Sequence, residues 1–366
     1  MGSFYPAQTG GPDNTVYWLT KALQRAGHQA VVSSTDNGLP AEVPRGRWLD
    51  RDYARVIYTR NPVHYLPWNA VGKAREQLAA ADVLHLTMIT YPAAWLMALA
   101  NGRKYRKPIV WSVRGDLDPP MLLRSRRKKA AVIELVRAIE RRQDVTFHTT
   151  CDEESAYVRE AIGQHVRTVQ IPNYMELPER VYPPKEKLFV FVGRIDPKKG
   201  IENLLEAVSM SEAFRQNGYR LELAGDATGE YGASLRGLAH GLGLDEVVSF
   251  LGHVGGADKE HLLARAHCLV MPSHTENFGI VVTEALAQGT PAIASTGTPW
   301  RVLDETGAGW WAGNDPESLV KAMEAAMSLS PEAYAGMSKA GVSLAANRFD
   351  IYARIGEWER LYRSIG

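Results

Sequence analysis

The chain has 366 residues, of which 45% are hydrophobic and 23% charged, with a formal net charge of +1; this is an ordinary globular composition and excludes disordered, fibrous and collagen-like classes. No apolar run reaches the roughly 18 residues of a membrane helix, and Met1–Pro6 lacks the basic-then-apolar pattern of a signal peptide, so a cytoplasmic protein is expected. Cys151 and Cys268 are the only cysteines and have no metal-ligand spacing, which fits a reducing compartment.

The length exceeds what one core accommodates and predicts two domains. Charge is unevenly divided. Residues 1–175 hold 24 Lys and Arg against 16 Asp and Glu, a net +8, which leaves −7 for the remainder. A basic first half suggests an anionic partner, or simply two oppositely charged domains.

In chain order, Gly10-Gly11 reads as a glycine-rich turn, although only Met1–Pro6 stand before it in place of a full first strand. The amphipathic stretch 15–26 predicts a helix. Residues 29–32, 83–86, 108–111 and 145–148 read as buried strands, with a further helix over 130–142. Residues 175–185, rich in Pro and charge, read as a linker. Strand patterns resume at 188–192, 220–224, 247–251, 268–271 and 292–294, and a last helix covers 351–365. Strands alternating with helices mean βαβ units and parallel sheets. The predicted fold class is α/β, with one Rossmann-like domain over 1–174, joined by the terminal helix 351–366, and a second over 175–350.

Two segments carry chemistry. In the first, Glu276-Asn277-Phe278-Gly279 leads into a helix that contains Glu284. A helix start has unpaired amides and a positive dipole end, and so suits a diphosphate. Glu276 is placed to reach sugar hydroxyls and Glu284 to accept from a ribose; two surface glutamates are the alternative. The second segment, Gly193-Arg194-Ile195-Asp196-Pro197-Lys198-Lys199-Gly200, follows a strand. Arg194 and Lys199 would flank a diphosphate and neutralise charge on the leaving group. A solvated basic loop is the alternative.

Together these segments resemble the retaining glycosyltransferases of family 4, which have the GT-B fold. Supporting pieces are Thr9-Gly10-Gly11, Ile171-Pro172-Asn173, Leu223-Ala224-Gly225, Phe250-Leu251-Gly252-His253-Val254, Met271-Pro272-Ser273 and Ala285–Pro291; Thr298-Pro299-Trp300 is similar to a bacterial surface-polysaccharide branch. The resemblance implies two Rossmann-like domains facing across a cleft, with a nucleotide-diphosphate sugar as donor, UDP-sugar preferred and GDP-mannose next. Arg194 and Lys199 would hold the diphosphate, Glu284 the ribose and Glu276 the donor sugar, with the amides of Asn277, Phe278 and Gly279 assisting. Gly10 and Gly11 would reach the phosphates. The acceptor, a saccharide or a lipid-linked one, would bind the first domain. Transfer would retain the anomeric configuration without a metal or any cofactor, and nucleic acid is not an expected partner. A GT-B nucleotide-sugar epimerase and a non-catalytic homologue are the alternatives.

Where many members carry His-Gly, this chain has Arg114-Gly115, which puts a permanent cation toward the donor. His85, at a strand end, is a candidate for positioning the acceptor. Arg124, Arg126, Arg127, Lys128 and Lys129 beside leucines suggest an anionic membrane surface, with a solvated helix face as the alternative. Trp18, Trp48, Tyr65 and Trp68 would stack on an acceptor sugar or serve packing.

Overall fold

The computed structural model describes residues 1–7, 11–63, 66–119 and 126–366, with backbone only for 11–13 and 126. The chain divides into two compact units, Met1–Glu176 with Ile351–Gly366, and Leu177–Asp350.

Among the described residues the first unit contains two sheets. β1 (Val31–Thr35), β2 (Trp48–Asp50) and β3 (Arg55–Thr59) run in the order β1-β3-β2. β1 and β3 are parallel, and β2 is antiparallel to β3. β4 (Leu84–Thr87), β5 (Ile109–Ser112), β6 (Val145–Thr149) and β7 (Arg167–Gln170) form a parallel sheet in sequence order. Met1–Phe4 forms no strand. It lies against β1 through bonds that include the Met1 amine to the Ser33 carbonyl (2.7 Å), the Thr35 amide to the Met1 carbonyl (3.1 Å) and the Thr35 hydroxyl to the Gly2 carbonyl. Phe4 is fully buried and anchors this stub.

The C-terminal helix Ile351–Ile365 belongs to this first unit. Its Ile351, Trp358 and Leu361 pack with Leu19 and Ala22 of helix α1 (Gly11–Arg25) and with Val110 of β5. A half-buried ionic knot reinforces the seam, in which Lys21 pairs with Glu176 at 2.6 Å and Tyr352 donates to the same carboxylate at 2.9 Å.

The second unit is one six-stranded parallel sheet, built from β8 (Leu188–Val192), β9 (Arg220–Ala224), β10 (Val248–Gly252), β11 (Cys268–Met271), β12 (Ala292–Ser295) and β13 (Gly309–Ala312), in the order β10-β9-β8-β11-β12-β13. The Leu188-Phe189-Val190-Phe191 run shows why the strand is uniformly apolar. Leu188 and Val190 enter one core while Phe189 and Phe191 enter the other, because side chains alternate between faces and helices cover both. This confirms the α/β reading with parallel sheets. The order reverses direction between β8 and β11, which are hydrogen-bonded neighbours with Leu269 opposite Val190. In open α/β sheets a ligand crevice forms beyond the carboxyl ends of such a strand pair.

β2, β3, β7 and β13 were not legible from sequence. β7 begins on exposed Arg167 and ends on exposed Gln170, and β13 is Gly309-Trp310-Trp311-Ala312, so neither has a long apolar run; β3 carries only the short run Val56-Ile57-Tyr58 between Arg55 and Thr59.

Candidate functional site

Both chemistry-bearing segments of the second unit lie at the β8/β11 switch. The loop after β8 begins at Gly193, whose amide donates to the Ala224 carbonyl (2.9 Å), and turns through a short 3-10 segment at Pro197–Lys199. Asp196 caps it, accepting from the Lys198 amide at 3.0 Å. Gly200 then adopts a left-handed conformation, φ 60°, and leads into the helix Ile201–Met210. A side chain at Gly200 would press on the Pro272 carbonyl of the neighbouring loop.

That neighbouring loop follows β11. Its His274 amide donates to the Lys198 carbonyl at 2.8 Å, which ties the two loops together. Glu276 is held by its amide on Gly297 (3.0 Å), and its carboxylate forms an ion pair with the Lys199 ammonium. The two groups are about four-fifths buried, so the pair is partly shielded from water. Arg194 stays exposed, with no ion pair among the described residues.

The helix Ile280–Ala287 opens at Gly279, φ 77°, where only glycine is unstrained. It has no side-chain cap and no acidic residue in its first turn, leaving its positive end open to an anion. Phe278 is a buried anchor; its ring packs against Trp300 (5.2 Å) and Phe349 (5.4 Å), and its carbonyl accepts from the Trp300 indole. This explains the Thr298-Pro299-Trp300 segment, since Trp300 is wholly buried beneath the loop it holds. Glu284 is only 9% exposed and accepts from Lys259 at 2.6 Å. Sequence reasoning missed Lys259, which lies in the helix Gly256–Arg265 and carries no local motif.

The remaining expected residues divide between the first unit and undescribed positions. Gly10, Tyr65 and Arg124 lie outside the described residues, as does the side chain of Arg126; Gly11 begins helix α1. Arg127 and Lys128 are exposed and Lys129 half-buried on the helix Arg126–Glu140. Arg114 adopts a left-handed backbone, φ 56°, and donates to Asn173, joining it to the Ile171-Pro172-Asn173 segment. Burial pulls its guanidinium down to about 10, so it remains a cation at neutral pH. Its Nε is buried and has no partner among the described residues.

His85 belongs to a directional hydrogen-bond chain. His148 Nε2 faces the Ile171 carbonyl (2.8 Å) and must donate to it, so His148 Nδ1 accepts from Ser112 Oγ (2.7 Å). Ser112 Oγ therefore accepts from His85 Nε2 (2.8 Å), and His85 Nδ1 accepts from the Tyr362 hydroxyl (2.8 Å). Both rings are neutral in this arrangement. Burial first, and the Arg114 charge second, push His85 down to about 3 and hold His148 well below its ordinary 6.5. The chain fastens the C-terminal helix to β4, β5 and β6.

A pH dependence of stability follows. Below about pH 6.5 the unfolded chain takes up protons that these folded histidines refuse, so stability falls as pH falls, down to about 3 for His85. Between pH 6.5 and 5.5 the two sites together should remove about 2 kcal/mol. Urea unfolding followed at several pH values would check this; a first-unit midpoint that does not move over that interval contradicts the neutral chain.

Residues 10–174 match the glycosyl transferase 4-like domain and residues 177–343 match glycosyl transferases group 1. Both matches are to glycosyl transferases, together they span residues 10–343, and the two units have the GT-B fold. The chain is 37% identical over 171 residues to the D-inositol 3-phosphate glycosyltransferase of Saccharomonospora viridis, an alignment covering 44% of the chain and 39% of that relative. It is 34% identical over 145 residues to an uncharacterized glycosyltransferase of Methanocaldococcus jannaschii, covering 39% of the chain and 36% of the relative. The matched stretches thus span well under half the length of these curated relatives. Among solved structures, Anabaena HepE in complex with UDP and glucose superposes with a TM-score of 0.75 at 19% identity, covering 98% of both chains. Sucrose-phosphate synthase from Thermosynechococcus elongatus gives 0.73 at 23% identity, covering 97% of this chain and 93% of that one. At these identities the likeness establishes the fold.

Proposed function

We propose that this chain is a retaining glycosyltransferase that moves a sugar from a nucleotide-diphosphate donor, UDP-sugar in preference, to a saccharide or lipid-linked acceptor in cell-surface polysaccharide or glycolipid synthesis. The observation that carries the reading is the pair of tied loops at the β8/β11 switch, with Lys199 and Glu276 in contact beside the open helix start at Gly279. The relatives are glycosyltransferases, which supports transfer rather than epimerisation, and HepE, bound to UDP and glucose, supports a uridine donor.

The residues take the following roles. The amides at the start of Ile280–Ala287 receive the diphosphate, and Lys199 and Arg194 neutralise the charge that grows on it as the bond from sugar C1 to phosphate oxygen breaks. Glu276, already oriented through Gly297, receives donor-sugar hydroxyls. The acceptor oxygen bonds C1 on the face the leaving group vacates, and its proton passes to the departing diphosphate oxygen. Glu284, steadied by Lys259, accepts from the ribose. The basic residues from Arg124 to Lys129 meet an anionic membrane surface.

Isothermal calorimetry with UDP, GDP, ADP and dTDP in EDTA tests the donor assignment. UDP is expected to bind tightest, and Glu284→Gln to weaken it about ten-fold by removing one charged acceptor. Absence of binding by all four nucleotides would sink the reading, and unchanged UDP affinity in the variant would remove Glu284 from the ribose.

A further inference from the structure

The parallel strands β1 and β3 of the first unit end at Thr35 and Thr59, and in open parallel sheets ligands collect beyond that edge. An open cavity of about 630 Å³ lies there, lined by Arg45, Thr59, Arg60, Trp68, Asn69 and Lys73 among others. Its volume falls within the roughly 300–1,000 Å³ of small-molecule sites.

Two of its three cations are already engaged. Arg45 pairs with Asp36 at 3.2 Å and donates to the carbonyls of Leu39, Ala41 and Val43. Lys73 pairs with Glu76 at 2.8 Å. Arg60 is exposed and has no ion pair among the described residues. Its backbone is fixed, because Asn69 Nδ2 donates to its carbonyl at 2.9 Å. Trp68 leaves 59% of its surface in water at the start of the helix Trp68–Gln77. The other tryptophans considered as sugar platforms serve packing: Trp18 packs against the seam with the C-terminal helix, and Trp48 lies under the Arg55 guanidinium at 5.5 Å. An exposed aromatic face beside an unspent cation, on a floor of amide and hydroxyl groups, matches a sugar ring that carries an acidic substituent.

We propose that this cavity binds an anionic saccharide, with the ring face on Trp68, its phosphate or carboxylate on Arg60, and a hydroxyl on Asn69. Its role as a seat for the acceptor rests on the transferase reading above; the binding itself does not, and is measured without nucleotide.

The test is titration of the full chain with glucose 6-phosphate and with glucose, followed by saturation-transfer NMR. The phosphosugar is expected to bind about five-fold tighter, the scale of one solvent-exposed charge contact. Arg60→Gln should erase that preference while sparing glucose, and Trp68→Ala should weaken both sugars by about five-fold. Neither exposed substitution should alter the melting temperature or UDP affinity. Equal binding by wild type and Trp68→Ala, or a charge preference surviving Arg60→Gln, overturns the proposal. So does a result in which neither sugar binds while phosphatidylglycerol vesicles do, which would make Trp68, with exposed Val63 and Leu66, a lipid contact. Failure of UDP to bind the wild type would undo the transferase reading and leave this site standing.

Discussion

Lys199→Ala is expected to slow cleavage of the nucleotide-sugar bond by about 2–4 kcal/mol of barrier, the loss seen when one preorganised donor to a developing oxyanion is removed. The ammonium is 16% exposed and paired with Glu276, so it sits in a medium where a charge counts for more than in water. The neighbouring lysine provides the internal control. Lys198 is exposed, its amide serves the Asp196 cap, and its side chain has no ion pair among the described residues. Lys198→Ala should leave turnover within about two-fold, as expected of a surface charge. Donor hydrolysis by each variant, monitored as UDP release, separates the two. Equal rates in wild type and Lys199→Ala would remove the residue from the chemistry, and equal losses in both variants would reduce the loop to a diffuse basic patch.

Gly225→Ala should unfold the second unit more readily than any surface change. β8 and β9 converge at their carboxyl ends, where Gly193 donates to Ala224 (2.9 Å) and Gly225 donates to Gly252 (2.7 Å). A methyl at Gly225 would overlap the Gly193 carbonyl oxygen, a backbone group that cannot rotate away, and would also crowd the Ile195 side chain. Overpacking against fixed backbone predicts a loss of about 3 kcal/mol, which corresponds to roughly 6–12 °C in melting temperature for a unit of this size. The phosphate-side loop starts at Gly193, so UDP affinity should fall as well. Gly237→Ala supplies the opposite sign. Gly237 lies on the exposed face of the helix Glu230–Gly241 with open space around it, so alanine there should stabilise by about 0.5–1 kcal/mol. Differential scanning calorimetry on both variants checks the pair; a Gly225→Ala melting point equal to wild type would mean that the two strand ends do not approach as described.

Much of the fold could be read from residue patterns because its central strands are buried on both faces. Residues 188–192 and 268–271 are continuous apolar runs for that reason, and helix 351–365 repeats its apolar positions at helical spacing. Edge and mixed strands escaped. β2 has half-buried Trp48 and Leu49 beside exposed Asp50 and pairs antiparallel, and β7 holds half-buried Thr168 and Val169 between exposed Arg167 and Gln170, so neither stands out from a loop in one dimension. The site was legible where a motif is contiguous, as at Glu276–Gly279, and illegible where it depends on distant partners. Lys259 reaches Glu284 from another helix, and the links from Tyr362 through His85 and Ser112 to His148 join residues up to 277 positions apart.

By itself the sequence determined the α/β class, the parallel character of the sheets and the two loops that carry cations and carboxylates, because hydrophobic periodicity and local turn chemistry act over a few residues. The tertiary structure decided which lysine of the Lys198-Lys199 pair meets a carboxylate, that Phe278 is a core anchor under Trp300, and that His85 is a neutral link to the C-terminal helix. Those outcomes depend on the order of strands in a sheet. Only when β8 and β11 become neighbours do their loops touch, and nothing in a residue's local sequence records which strand will lie beside it.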